Sequence, residues 1–500
     1  MRASSGQLNF GRPRDLLLLV IALAAAAPAA DLTITGVNRA EFWSYLDSSY
    51  TTQLEEMLDL NLRYGDLRGT FGLFAFEPAK PWTDVPPRRP VRFLDYSIAY
   101  SPRQLEILYG RFYQDFGKGL ALRSYRDDEF RHYKSLHGLR GIARLPLRTE
   151  LVLLGARLRE VFFQDNSYIM LNVADTTDQA LGANLSSRPF RWGGFGGRYV
   201  RINRDRDPEP RAFTELFGGD LTATAGPVEV YGEVCQRLGT APGLGGREKG
   251  FGWYASGTAT FPGFSLLGQA MDYDALGFPA GLYHWNDPPT PIKSGVALNR
   301  GEDERGFGLL ATATPWSPLY LEAEYGRLYT HDDTSAGVVE WEGKARYPVS
   351  DWSFELAFNR MLQHNVELGT RERVIEKPVI HVNYLTGQHS FALEGECGFV
   401  SELSTEGESW EYRELAGALS WGYGPALLFT VGYQYVDVKL DKRYNGEQHW
   451  PVVEAVWSVT QRNMLRVRVG AERGGYTCSG GICRMESPFR GVKVQLVTRF

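Results

Sequence analysis

The 500-residue chain has only four cysteines and eight histidines, and beyond its first thirty residues no apolar run long enough for a transmembrane helix, which needs roughly 20 residues. If it spans a membrane, it must do so with strands, because only helices and closed barrels satisfy every backbone group in lipid. Basic residues are in deficit: 54 Lys and Arg stand against 59 Asp and Glu, a formal charge of −5. A nucleic-acid partner would call for a basic footprint, so none is expected. The histidines are scattered, and none accompanies a GxSxG serine. His132 and His137 miss the helical HExxH spacing, and Gly117-Lys118-Gly119 lacks the rest of a phosphate loop. No catalytic group, metal or cofactor is expected, and the chain is not read as an enzyme.

What the chain does contain is aromatic side chains, 26 Tyr, 27 Phe and 12 Trp, within a composition that is 43% hydrophobic and 13% aromatic. Aromatic richness without long apolar stretches suits a membrane barrel better than a helical bundle. Arg2, Arg12 and Arg14 precede an apolar run at 16–27, and Ala27-Pro28-Ala29 supplies a small-x-small pattern. Residues 1–30 therefore read as a cleaved secretory signal peptide, with the mature protein at 31–500. No cysteine follows the apolar run, so a lipid anchor is not expected.

From residue 32 onwards, stretches of about ten residues alternate in polarity, the expected signature of a transmembrane barrel. In residues 465–472, Leu465, Val467, Val469 and Ala471 share one face, while Arg466, Arg468, Gly470 and Glu472 share the other. Leu319, Leu321, Ala323 and Tyr325 oppose Tyr320, Glu322, Glu324 and Gly326 in the same way. A soluble sandwich also alternates, but its strands tend to be shorter. Ten tight turns are legible, at Gly65-Asp66, Pro102-Arg103, Pro146-Leu147, Gly226-Pro227, Pro262-Gly263, Ser317-Pro318, Val349-Ser350, Gly387-Gln388, Gly424-Pro425 and Gln461-Arg462. With one strand before the first and one after the last, they predict an all-β, single large transmembrane antiparallel barrel of about 22 strands, within an even range of 18 to 24. Tight turns belong on the periplasmic side and long loops outside; the long loops are expected at 77–91, 115–136, 160–189, 276–303 and 362–370.

The final strand carries Val492, Val494, Leu496 and Phe500 on one face. That arrangement resembles the C-terminal signal recognised by the outer-membrane barrel assembly machinery, so this machinery and outer-membrane lipid are the expected partners. An alternating closing strand can pair with the first and remove both free edges. Cys478 and Cys483 enclose a Gly-rich tip whose spacing permits a small disulfide in a secreted chain. Cys235 falls on a polar face and Cys397 on an apolar one, so they are not expected to bond to each other.

Residues 109–139, YGRFYQDFGKGLALRSYRDDEFRHYKSLHGL, residues 283–308, YHWNDPPTPIKSGVALNRGEDERGFG, and the closing CSGGICRMESPFRGVKVQLVTRF are similar to a family of uncharacterised bacterial outer-membrane barrel proteins. The resemblance implies a barrel and no particular substrate. A more distant likeness to alginate-export porins rests on strand number and a polar lumen alone.

Within 109–139, glycines at 117 and 119 permit a loop folded into the lumen, since a barrel this wide otherwise leaves a channel or needs a plug. Arg111, Lys118, Arg123 and Arg126 then either line a constriction that selects solutes by charge or pair with Asp115, Asp127, Asp128 and Glu129 to hold the loop; the pairing is preferred. Lumen positions in mid-chain are acidic, with Glu229, Glu233, Glu322, Glu324, Glu394 and Glu396, whereas Arg63, Arg111, Arg466, Arg468, Lys493 and Arg499 near the ends are basic. These groups form either opposing walls with a transverse field or ordinary cross-strand pairs. The aromatics of 283–289 read as a rim belt or a surface for sugars. The expected function is a porin-like channel for polar or charged solutes; the alternative is a closed barrel acting as a surface scaffold or ligand-binding protein.

Overall fold

The computed structural model describes residues 32–46, 52–77, 91–127, 132–164, 169–171, 179–203, 213–240, 247–277, 285–292, 298, 303–331, 336–366, 370–437, 448–479, 482–486 and 488–500. The expected signal peptide lies outside these residues, as do Asp128, Glu129, Tyr283 and His284. Alternating polarity drives one closed antiparallel sheet in which each strand pairs with its neighbours in sequence. The ring closes where the first strand, Leu32–Tyr45, pairs with the last, Phe489–Arg499, from Val37 opposite Arg499 to Tyr45 opposite Gly491. Phe500 continues the pairing: its N–H donates to the Gly36 carbonyl at 3.1 Å and its carbonyl accepts from Gly36 at 2.9 Å. Closure leaves no free edge, which is the condition for a sheet in lipid.

Among the described residues the barrel has 24 strands, two more than the turn count predicts. The missed hairpin is Gln179–Phe190 with Gly193–Asn203, joined at Arg191-Trp192 in a stretch expected to be a loop as far as residue 189. Three features hide it. The turn has no Gly, Pro, Asn or Asp, the second strand is glycine-rich, and Pro189 lies in the first. The register shifts between Ser187 and Phe190, and such an irregularity near a strand end tolerates a proline. Other expected loops shorten as well: strand His132–Leu145 takes up the end of 115–136, and Trp352–His364 the start of 362–370.

Away from the loop end the described outward face is apolar, with Leu153, Leu221, Leu356 and Leu419 each more than half exposed. Aromatics gather where strands meet the tight turns. Phe190 stacks on Trp192 at 5.0 Å, and Trp352 on Tyr384 at 4.4 Å. These are positions where amphipathic rings favour the membrane boundary. Val494 and Leu496 fall on this outward face of the closing strand, in register with Val467 and Leu465.

Candidate functional site

The inside of the barrel is not uniformly polar. A large core of buried side chains lies within it, built from lumen-facing residues and two segments that fold inward. The first segment leaves strand Leu105–Phe112 and makes a small hairpin, Asp115–Phe116 with Leu122–Arg123, before Tyr125–Asp127 returns along strand His132–Leu145. Phe116, Leu120, Ala121 and Leu122 at its tip have no exposed surface. The second segment lies between strands Phe264–Asp274 and Asp303–Trp316 and brings Trp285 and Ile292 into the same core.

The two segments hold each other through backbone groups. Arg123 N–H donates to the Trp285 carbonyl at 2.9 Å, and Asp287 N–H to that of Gly119 at 3.1 Å. Asn286 is fully buried, and its side-chain amide donates to the carbonyls of Leu120 at 3.0 Å and Leu276 at 3.2 Å. Lys134 reaches down from the wall to the Asn286 carbonyl at 3.2 Å. Buried Arg237 donates to the carbonyls of Ala275 and Gly277, fixing the second segment where it leaves its strand.

The tip of the first segment rests on a buried charge cluster. Arg198 bonds Glu233 at 2.5 Å and also pairs with Asp220; the Arg198 and Glu233 side chains are 1% and 0% exposed. Glu233 in turn accepts from Lys118 N–H at 2.7 Å and from the Tyr231 hydroxyl at 2.6 Å. Gly117 sits directly on this cluster at φ 64°, where an added Cβ would overlap the Arg198 guanidinium. Only glycine meets both the left-handed backbone and the close approach. Burial raises the pKa of Asp115 in this segment, against the lowering effects of its hydrogen bond from Ser124 N–H and the charges of Arg123 and Lys134.

Among the described residues the first segment is held by Asp115, which lies in register with Arg123 and feels its charge, and by acids from elsewhere in the chain. Arg126 makes a two-pronged contact with Asp59 at 2.6 and 3.1 Å, and Arg123 lies 3.6 Å from Asp287. Lys118 places its ammonium 5.5 Å over the Tyr231 ring. Asp127 is in backbone register with His132. Arg111 is a correction: it pairs in register with His137, on the outward row of Tyr109 and Leu139, and is buried, so it does not line the lumen. Trp285 is another, since it is 1% exposed inside the barrel and serves neither a rim belt nor an external sugar surface.

Away from the docked segments the lumen keeps its charge, in interleaved cross-strand pairs rather than one positive and one negative wall. Arg468 lies 2.5 Å from Glu454 and also pairs with Glu472, which binds Lys493; Arg466 is 3.8 Å from Glu454. Glu322 is 3.3 Å from Lys344, and Glu324 stands on the same row in register with Glu342. Glu394 and Glu396 lie 3.6 Å from His381 and 3.5 Å from Lys377, and the Glu394 side chain is 59% exposed. Sequence reasoning missed Arg198, Asp220, Arg237, Asn286 and Lys134. Their signal was available: the lumen rows beneath the segments are apolar or small, as in Val200 and Ile202, Leu216, Met271, and Gly326 with Leu328.

Cys478 and Cys483 face each other across the hairpin Gly475–Ser479 with Ile482–Glu486. This backbone register suits the disulfide expected above. The unreduced protein should weigh two hydrogens less than the reduced protein in intact-mass measurement; equal masses would rule the bond out.

Where the second segment leaves and rejoins the sheet, His331 bridges both ends. Its Nε2 contacts Asp272 at 3.0 Å, its Nδ1 contacts Asp303, and its N–H donates to Asp303 at 3.0 Å. Partial burial pushes its pKa down, but the hydrogen bonds to Asp303 and Asp272 and their negative charges outweigh that and hold it above the ordinary histidine value. A raised pKa means the bridge is complete at acid pH and is lost as pH rises through the folded-state value. Cleavage of the second segment by added protease should therefore increase from pH 6 to pH 8.5 relative to a His331→Gln barrel. Parallel profiles for the two proteins would show that the bridge has no such role.

A closed, lipid-faced ring of this kind defines a bacterial outer-membrane β-barrel. By sequence, the chain belongs to the family of unknown function DUF6029, whose model matches residues 89–278 and 400–500. No curated protein matches it. Among solved structures, a chain of the E. coli P pilus tip assembly intermediate PapC-PapD-PapK-PapG is similar with a TM-score of 0.56 at 7% identity, covering 94% of this chain and 61% of that one. The siderophore receptor PirA of Pseudomonas aeruginosa gives 0.45 at 12% identity over 95% and 81%. OpdK, from the same organism, gives 0.40 at 14% identity over 67% and 94%. The likeness to the pilus-assembly chain is one of fold.

Proposed function

We propose that this barrel conducts polar or charged solutes across the outer membrane along the part of the lumen that the inward segments leave uncovered. The asymmetry of the interior carries this reading. One sector is sealed by a dry core around Phe116, Leu120 and Trp285, while the sector bearing Glu394, Glu396, Lys377 and His381 presents partly exposed charged pairs. Charged rows facing a lumen stay solvated only where water reaches them, and interleaved signs suit polar solutes of either charge better than a single-sign filter. The segments narrow the pore and set its size limit.

Single-channel conductance of the refolded protein tests this directly. The intact barrel should conduct, and replacing residues 114–131 with a short Gly/Ser linker should raise conductance several-fold. A silent intact barrel that conducts only after the replacement would favour the closed scaffold. Silence in both would end the transport reading.

A further inference from the structure

Outward-facing arginines near the loop end of the barrel come in two kinds. Arg201 lies 3.0 Å from Glu215 on the neighbouring strand, and Arg360 lies 3.3 Å from Glu376. Arg327 differs. It is exposed near the end of strand Leu319–Tyr329, its cross-strand neighbours are Phe307 and Val339, and no carboxylate among the described residues pairs with it. Its guanidinium lies 4.8 Å from the Tyr329 ring centroid, and that of Arg305 lies 4.6 Å from the same centroid, so one ring holds two cations. Asp272 stands opposite Arg305 in register, but it also contacts His331.

Towards the membrane centre the same face is aromatic and apolar. Phe307, Tyr325, Trp341 and Leu309 are all substantially exposed, and the Phe307 and Tyr325 rings are 5.8 Å apart. An arginine at the edge of hydrocarbon needs an anion or water for its charge. Among the described residues, Arg327 has a ring to orient its guanidinium and no carboxylate paired with it. The complementary ligand has a phosphate at headgroup level and acyl chains below.

We propose that Arg327 and Arg305, on either side of Tyr329, form a binding site for a phosphorylated glycolipid of the outer leaflet, with its acyl chains lying over Phe307, Tyr325 and Trp341. The site is on the outside of the barrel and does not depend on whether the lumen conducts. Guanidinium donors bind phosphate through charge-assisted hydrogen bonds, and recognition through the phosphate makes the site selective for phosphorylated over neutral glycolipid.

Native mass spectrometry of the full barrel in detergent tests this, with lipopolysaccharide, its enzymatically dephosphorylated form and inorganic phosphate as separate probes. Wild type should retain lipopolysaccharide, and R327Q should weaken retention at least about tenfold, as expected for loss of a charge-assisted hydrogen bond. R305Q/R327Q should abolish it, while R360Q, which removes an arginine already paired with Glu376, should leave it unchanged. Heat-modifiable gel migration checks that each variant is folded. The proposal is overturned if R327Q and the double variant retain lipopolysaccharide like wild type, if the dephosphorylated glycolipid binds equally well, if R360Q weakens binding as much as R327Q, or if inorganic phosphate binds without any preference for the lipid.

Discussion

Replacing Arg198 with alanine is expected to release the first inward segment and raise single-channel conductance several-fold while leaving the ring closed. The substitution strands Glu233, whose side chain is fully buried, together with the mostly buried Asp220, and both then lack their cation. Removing one member of a buried charge cluster costs about 3–5 kcal/mol, because the remaining charge is left uncompensated. The loop tip takes that loss directly, since Lys118 N–H is hydrogen-bonded to Glu233 and Gly117 packs on the arginine. Arg468→Ala is the control. It also breaks pairs, with Glu454 and Glu472, but the arginine side chain is 36% exposed in the lumen, where solvent screens such interactions. Equal conductance changes in the two variants would show that the buried cluster does not hold the segment.

Trp285→Ala is expected to undock both segments together. The indole is 1% exposed, and the backbone carbonyl of the same residue accepts from Arg123 N–H, so the side chain anchors the junction between segments. Truncating a buried aromatic costs roughly 3–5 kcal/mol, more than a few interloop hydrogen bonds worth about 1 kcal/mol each recover. Limited trypsin digestion of the folded barrel reports the outcome. Cleavage after Lys118, Arg123 and Arg126 should be slow in wild type and fast in the variant. If the peptide patterns match, the segments are held by something other than this core.

Most of the architecture was legible because a strand in a barrel wall obeys a period of two with lipid on one side. Leu465, Val467 and Val469 against Arg466 and Arg468 show the rule, and their neighbours follow it in register. The rule failed where the inside stops being aqueous. Along residues 319–329 the lumen row runs Tyr320, Glu322, Glu324, then Gly326 and Leu328; the last two pack beneath Ile292 and its surroundings. An added Cβ on Gly326 would stand 2.6 Å from Ile292 Cγ2. Read with water on the inside, Gly326 looks like a polar-face spacer, and its true role as a docking floor depends on a contact 34 positions away in sequence. The missed hairpin failed for a local reason: Arg191-Trp192 turns the chain without any of the residues that normally announce a turn. The inward loop itself was signalled by Gly117 and Gly119, and Asp115 pairs within it as a local reading proposes, but Asp59, Glu233 and Asp287, which also hold it, come from distant parts of the chain.

In the proposed arrangement the ring has lipid outside and a lumen that is wet on one side and dry on the other. Single cysteines at three positions, in a background without the native four, test it most directly: Leu393, Glu394 and Leu216. Glu394→Cys should react quickly with a small membrane-impermeant thiol reagent, Leu393→Cys only with a membrane-soluble one, and Leu216→Cys with neither until the inward segments are released. Rapid impermeant labelling of Leu216→Cys in the intact barrel, or equal labelling of the neighbouring positions 393 and 394, would contradict the account.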